Sequence, residues 1–182
     1  HRGAFAAARW RDREPATCHP CPVPPTTDDQ HLDDHGLDDH DLDDETAVVI
    51  TAAAAVPPEQ VWHTLVARTD EWWTEPYLAP GAAPMRIEPR LGGRVWSGSS
   101  IEAGQLHGTV RAFDPPERLE IGGVLVPGAY AGSITVTVER TSLGSELRVE
   151  HQARGRIDHA VEERISTGWT DLLARLTALA ET

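Results

Sequence analysis

The sequence predicts an α+β domain over residues 46–182, an antiparallel sheet of six to seven strands with a long C-terminal helix. Three observations predict it. Residues 132–141 and 146–154 alternate cleanly between apolar and polar side chains, the signature of strands with one buried face. Glycine- and proline-rich separators recur between short β-branched segments from residue 85 onward. From Val161 onward, apolar residues advance by three or four to Leu179, a continuous stripe along a helix of about six turns.

The elements follow in order. Thr46–Ala55, rich in alanine and β-branched residues, fits a first strand, which Pro57 and Pro58 stop. Proline suits the first turn of a helix and Glu59 favours its N-terminus. Val61, Trp62, Leu65 and Val66 then form a stripe, so Pro58–Ala67 is a short helix. Asp70–Trp73 is a second short one, ended by Pro76. Strands are expected at Met85–Arg90, Arg94–Ile101, Gln105–Phe113, Arg118–Val124, Gly132–Thr141 and Glu146–Arg154. In the last two, Ile134, Val136 and Val138 share one face, as do Leu147, Val149 and His151. The final helix runs from about Asp158 to Ala180, with Asp158 as N-cap and Glu162 and Glu163 in its first turn.

Residues 1–45 read as a disordered, acidic His/Asp-rich tail. Pro15, Pro20, Pro22, Pro24 and Pro25 break its first part. Its second part is a degenerate repeat, Leu32-Asp33-Asp34-His35, Leu37-Asp38-Asp39-His40 and Leu42-Asp43-Asp44, whose period fits neither helix nor strand. Such dense like charge cannot bury enough apolar surface to offset the entropy of ordering.

Composition excludes several functions. The net charge is -13, and residues 1–45 hold 12 acidic residues against 4 Arg. An acidic tail on a mildly acidic domain repels phosphate backbones, so no nucleic-acid partner is expected. All 16 basic residues are Arg, which removes Schiff-base chemistry on lysine. The 2 cysteines, Cys18 and Cys21, lie in the tail and give the domain no disulfide framework. No apolar run is long enough to span a membrane, and residues 1–10 lack the hydrophobic stretch of a secretory signal, so the cytoplasm is the expected compartment. Gly92-Gly93 lacks the context of a phosphate loop, and no nucleophile elbow occurs; no cofactor is expected.

Four local motifs, in order, resemble the Bet v 1-like, START-related superfamily. They are Val56-Pro57-Pro58-Glu59-Gln60-Val61-Trp62; Pro89-Arg90-Leu91-Gly92-Gly93-Arg94; Gly108-Thr109-Val110 leading to Asp114-Pro115-Pro116-Glu117-Arg118-Leu119; and Gly168-Trp169 before Leu172-Leu173. The branch they resemble is that of small proteins similar to the C-terminal domain of the Hsp90 ATPase activator. The resemblance implies a helix-grip fold, a curved sheet wrapped around the last helix with a cavity between them. It does not imply one activity, because carriers, receptors, cyclases and aromatases share the fold. Nor does the tail resemble the activator's separate N-terminal domain, so Hsp90 stimulation is not implied.

Within that frame, His151 shares a strand face with Leu147 and Val149, where an imidazole orients or protonates a ligand, or serves as a strand-end histidine with a backbone or water partner. Trp169, directly after the helix-interior Gly168, walls the cavity or is ordinary core, with Ile165 on the same stripe and Val149 opposite. Trp72, Trp73, Tyr77 and Tyr130 fall in segments that border the cavity mouth in this fold and stack on a ligand or cover the core. Trp96 joins them if its strand phase turns it inward. Glu88 and Arg90 share one face, as head-group ligands or, more commonly, a surface ion pair or a turn-anchoring Arg. Cys18-His19-Pro20-Cys21 has metal-ligand or redox spacing, and with His31, His35 and His40 could gather zinc, nickel or copper, against the plainer reading of a solvated tail.

The expected function is therefore the binding of a small hydrophobic or aromatic molecule between sheet and helix. The alternatives are a cyclase, aromatase or hydrolytic enzyme, and a chaperone-cofactor-like interaction module. The last requires an exposed apolar patch and no usable cavity.

Overall fold

The structure is a computed structural model that describes residues 44–78, 82–100, 103–126 and 129–182. The disordered-tail reading of residues 1–43 lies outside the described residues, as do the metal-ligand candidates Cys18, Cys21, His31, His35 and His40. The element order is β1 (Asp44–Ala54), α1 (Pro58–Ala67), α2 (Thr69–Trp72), β2 (Met85–Ile87), β3 (Arg94–Ser100), β4 (Ala103–Asp114), β5 (Arg118–Gly123), β6 (Ala129–Thr141), β7 (Gly144–Gly155) and α3 (His159–Ala180). The strands form one 7-stranded antiparallel sheet in the order β1-β7-β6-β5-β4-β3-β2. Every expected element is present, within a few residues of its expected bounds.

The chain closes the sheet by returning β7 between β1 and β6. Asp44 pairs with Gly155 and Ala54 with Ser145, so β1 runs the length of β7. It begins two residues before Thr46, because β7 continues to offer backbone partners and Arg154 reaches Glu45 at 2.9 Å. Ile134, Val136 and Val138 of β6 are buried beside Leu147, Val149 and His151 of β7, as their alternation demands. The α3 stripe covers this inner face. Val161, Ile165, Trp169, Leu172, Leu173 and Leu176 are all buried, and Asp158 caps the helix by accepting the Val161 N–H at 2.8 Å.

The two ends of the grip are tied by hydrogen bonds. Gln60 of α1 donates to the Ala180 carbonyl at 2.7 Å, and the Ala55 N–H donates to the Glu181 carboxylate at 2.8 Å. Thus the first helix, set by Pro58, holds the last turn of α3 in place. Val61, Trp62 and Leu65 pack into the same core.

Between β2 and β3 the chain turns tightly. Gly92 has φ 71°, a left-handed conformation that suits glycine. The Glu88 carboxylate accepts from the Arg94 N–H at 3.0 Å and from its guanidinium, and also pairs with Arg90 at 3.2 Å. The Arg94 guanidinium, then its backbone N–H, holds the Glu88 carboxyl down to about 2. Glu88 and Arg90 therefore anchor the turn. A Cβ on Gly93 would stand 2.1 Å from the Glu88 carbonyl oxygen and 2.8 Å from that of Arg90, both backbone atoms that cannot step aside. Gly93→Ala is expected to destabilise the domain by about 1–3 kcal/mol in urea unfolding. A loss below ~0.5 kcal/mol would show that the turn relaxes freely.

Candidate functional site

Between the sheet and α3 lies an open cavity of about 700 Å³. Its far wall is Ile134, Ser97 and His151 on the sheet; its near wall is Ile165, Gly168, Trp169 and Leu172 on α3. Trp73, Tyr77, Leu78, Met85, Leu125 and Val126 surround the rest. The volume is within the range of small-molecule sites, and the lining is mostly apolar with a few polar groups.

His151 is 4 % exposed, held by β7 in the wall facing α3. Its Nδ1 accepts a hydrogen bond from Trp169 Nε1–H at 2.8 Å. An indole nitrogen only donates, so Nδ1 must be unprotonated. Neutral His151 therefore carries its proton on Nε2. That nitrogen is buried and has no hydrogen-bond partner among the described residues. Burial pushes the imidazole down to about 4 from the ordinary 6.5, and the indole N–H aimed at Nδ1 opposes protonation further. The ring is thus fixed in one tautomer, pinned at one nitrogen and unsatisfied at the other.

A second polar spot sits on β3 and β4. Ser97 Oγ and His107 Nε2 are 2.8 Å apart. The pair exists because β4 carries a bulge: Val95 pairs with Gly108 and Trp96 with Leu106, leaving His107 without an opposite residue. The extra residue reverses the phase of β4, so His107 and Gln105 reach the cavity beside Ser97. Burial lowers the proton affinity of His107, which favours a free base. At the other side Tyr77 donates its hydroxyl to Asp171 at 2.7 Å, and Arg175 lies 5.4 Å from its ring centre. The Asp171 hydrogen bond first, then burial, raises the Tyr77 phenol above its usual range.

Of the residues the sequence singles out, the structure brings His151, Trp169, Trp73, Ile165 and Tyr77 together around the cavity. It does not bring Trp72, Val149, Trp96 or Tyr130 into the lining. Trp72 is buried behind the wall, stacked on Trp73 at 5.3 Å, which itself meets Trp169 edge-on at 5.4 Å. Val149 is buried on the same face as His151, in the solid core between Ile50 and Val136. Trp96 takes the outer face, because Val95 and Ser97 are the buried residues of β3; Arg86 lies 5.8 Å from its ring centre. Tyr130 is 58 % exposed and lines a separate surface groove with Arg111 and Gly132. Sequence reasoning missed Ser97, Gln105, His107 and Arg164. Both Ser97 and His107 depend on strand pairing: β2 and β4 set the phase that turns Ser97 inward with Val95, and the bulge turns His107 in beside it.

No group of His, Cys, Asp and Glu able to hold a metal occurs among the described residues. No helix among them is long and apolar enough to cross a membrane.

A curved antiparallel sheet gripping a C-terminal helix over an open cavity is the Bet v 1-like, START-related architecture. Residues 55–181 match the family described as activator of Hsp90 ATPase homolog 1-like protein, and the chain belongs to that family. Similar solved structures include protein MLL2253 from Mesorhizobium loti, at 20% identity and TM-score 0.57 over 74% of this chain and 96% of that one. CalU16 from Micromonospora echinospora is also similar, at 20% identity and TM-score 0.53 over 74% of this chain and 75% of that one. So is Ara h 8.0201, at 15% identity and TM-score 0.56 over 75% of this chain and 98% of that one. Comparison with curated proteins found no match.

The His151 arrangement makes stability depend on pH with a definite sign. Between the folded value of about 4 and the ordinary 6.5, the unfolded chain binds a proton there that the folded chain refuses. The contribution of His151 is full above 6.5 and is lost as pH falls toward 4. Relative to His151→Phe, the wild type should lose about 3 kcal/mol of unfolding free energy over that window, read by urea titration. Parallel pH profiles for the two proteins would refute the assignment, as would ring ¹⁵N shifts placing the proton on Nδ1.

Proposed function

We propose that the protein binds a small hydrophobic or aromatic molecule in the cavity between sheet and α3. The observation that carries this reading is the cavity itself. About 700 Å³ bounded by Trp73, Trp169, Leu172, Ile134 and Met85 is space that a packed core does not leave. Ligand-sized volume, aromatic walls and a few polar groups are what small-molecule sites share. The interaction-module alternative required the absence of such a space, and is accordingly disfavoured.

The Ser97–His107 pair favours a second reading, hydrolysis of an ester carried in the same cavity. A hydroxyl within hydrogen-bond reach of a neutral imidazole is the minimum of an activated nucleophile. Turnover of p-nitrophenyl butyrate above the buffer rate, lost in Ser97→Ala, is its expected signature. Wild-type turnover at the buffer rate would dispose of it.

Binding is testable with N-phenyl-1-naphthylamine, a neutral aromatic probe. Its fluorescence should rise on mixing and that of Trp73 and Trp169 should fall, with saturation at micromolar probe. Gly168 faces the cavity, where a Cβ would stand 3.4 Å from the Tyr77 ring. Gly168→Leu should therefore fill the space and weaken the probe at least about tenfold, a difference of about 1.4 kcal/mol, while circular dichroism stays unchanged. A wild type that leaves the probe dark, or a folded Gly168→Leu protein that binds it equally well, would overturn the reading.

A further inference from the structure

The proposal of a ligand-binding cavity leaves the ligand's chemistry open, and the wall narrows it. His151 is fixed as the Nε2–H tautomer by the Trp169 indole, and its Nε2–H has no acceptor among the described residues. A buried donor left unsatisfied is costly, and proteins rarely keep one without reason. A water or hydroxyl could satisfy it only by entering the wall beside Ile134 and Trp169. Nε2 is itself fully buried, so any acceptor must part the side chains over it; an oxygen carried on an aromatic body does so while its ring restores their apolar contacts, which a lone water cannot.

Charge narrows the choice again. Among the described residues lining the cavity there is no Asp or Glu, and Arg164 is the sole residue with a fixed formal charge. In a chain of net charge -13, the described residues of this wall carry no negative group. A cationic ligand would enter with no counter-charge, whereas an acid would meet Arg164. Arg164 is exposed and precedes Ile165, while Trp169 lies one and a half turns further along α3. The rise between Arg164 and Trp169 is about 7.5 Å along the helix axis, roughly the length of one aryl group.

Resting on the cavity-binding reading, we infer that the ligand is an aromatic carbonyl compound bearing an acid group. Its carbonyl oxygen accepts from His151 Nε2–H in the wall, and its carboxylate or equivalent anion lies at the rim against Arg164. The aryl body fills the space between, against Trp169, Ile165 and Ile134. The Nδ1–indole bond sets the direction of selectivity: His151 presents a donor there, so the site favours acceptors over ligands that offer an N–H or O–H at the same position.

Three probes of one shape separate the claims: diphenylmethane, benzophenone and 4-benzoylbenzoate, each titrated into the full chain by displacement of N-phenyl-1-naphthylamine. All three should displace it. Benzophenone should bind about tenfold more tightly than diphenylmethane, in keeping with one hydrogen bond to an otherwise unpaired donor. The stretch of its ¹³C-labelled carbonyl should fall below its frequency in hexane. 4-Benzoylbenzoate should bind about threefold more tightly again at low salt, the advantage disappearing in Arg164→Gln and at high salt, as for an exposed ion pair. Arg164→Gln should change the benzophenone affinity less than that of 4-benzoylbenzoate. Equal binding of diphenylmethane and benzophenone, a hexane-like carbonyl stretch, or an unaltered 4-benzoylbenzoate affinity in Arg164→Gln would overturn the inference while leaving hydrophobic binding intact. Failure of N-phenyl-1-naphthylamine and all three compounds to bind would overturn the broader reading, and this one with it.

Discussion

The apolar stripe of α3 must be covered, and the inner face of the sheet is what covers it. Val161, Ile165, Trp169, Leu172 and Leu176 cannot remain in water, at roughly 1.5–3 kcal/mol for each large side chain buried. The face that receives them is set by period-two alternation in β6 and β7. Everything else about the domain is arranged around this contact. The β1–β7 pairing completes the face, α1 anchors the end of the helix through Gln60, and the Asp158 cap fixes its start. Where helix and sheet meet fully, near Leu147, Val149 and Leu176, the core is solid. Where they diverge, towards Ile165, Trp169 and His151, the cavity opens.

At the junction between those two regions stands the Trp169–His151 hydrogen bond. Trp169 needs an acceptor for its buried N–H, and His151 provides it at the price of a tautomer that leaves Nε2–H unmatched. A hydrocarbon pair at these positions would pack without polar debt. The choice of a tryptophan and a histidine therefore fixes the angle of α3 against β7 more sharply than apolar contact alone, since a hydrogen bond is directional. The same choice places one oriented donor in a mostly apolar wall. Structure and recognition draw on a single pair of side chains.

Most of the fold was legible in the sequence because its signals are local. Prolines 57 and 58 set the start of α1, and the advance of apolar residues from Val161 to Leu179 set α3. The alternation around Val149 also placed His151 on the inner face, ahead of any contact with α3. What the sequence withheld depends on register between strands. Trp96 sits between Val95 and Ser97, and nothing in Val-Trp-Ser-Gly says which of them turns inward; pairing with β2 and β4 decides it. His107 is a stronger case. Counted back from the buried Val110 by twos, it would face outward, and only the bulge opposite Val95 and Trp96 turns it in. A bulge is a property of two strands together, so a single-strand pattern cannot reveal it. Tyr130 shows the converse: an aromatic near the expected mouth, on a strand end that pairs past the cavity and faces solvent.

A cavity this size is a physical burden for one small domain. A sealed apolar void of similar volume would be prohibitively destabilising, given about 24 cal/mol for each Å³ left unfilled. The space persists because it opens to solvent and because its walls are braced from behind. Trp72 stacks on Trp73, which meets Trp169 edge-on, so three indoles in mutual contact back the cavity wall. Tyr77, held by Asp171 and flanked by Arg175, braces the rim against Gly168. These supports lie outside the apolar alternation that builds the sheet, and they keep open what hydrophobic collapse would otherwise close. Such bracing makes sense when an occupant returns the lost contacts: any molecule that binds the folded state alone adds its binding free energy to that state's stability.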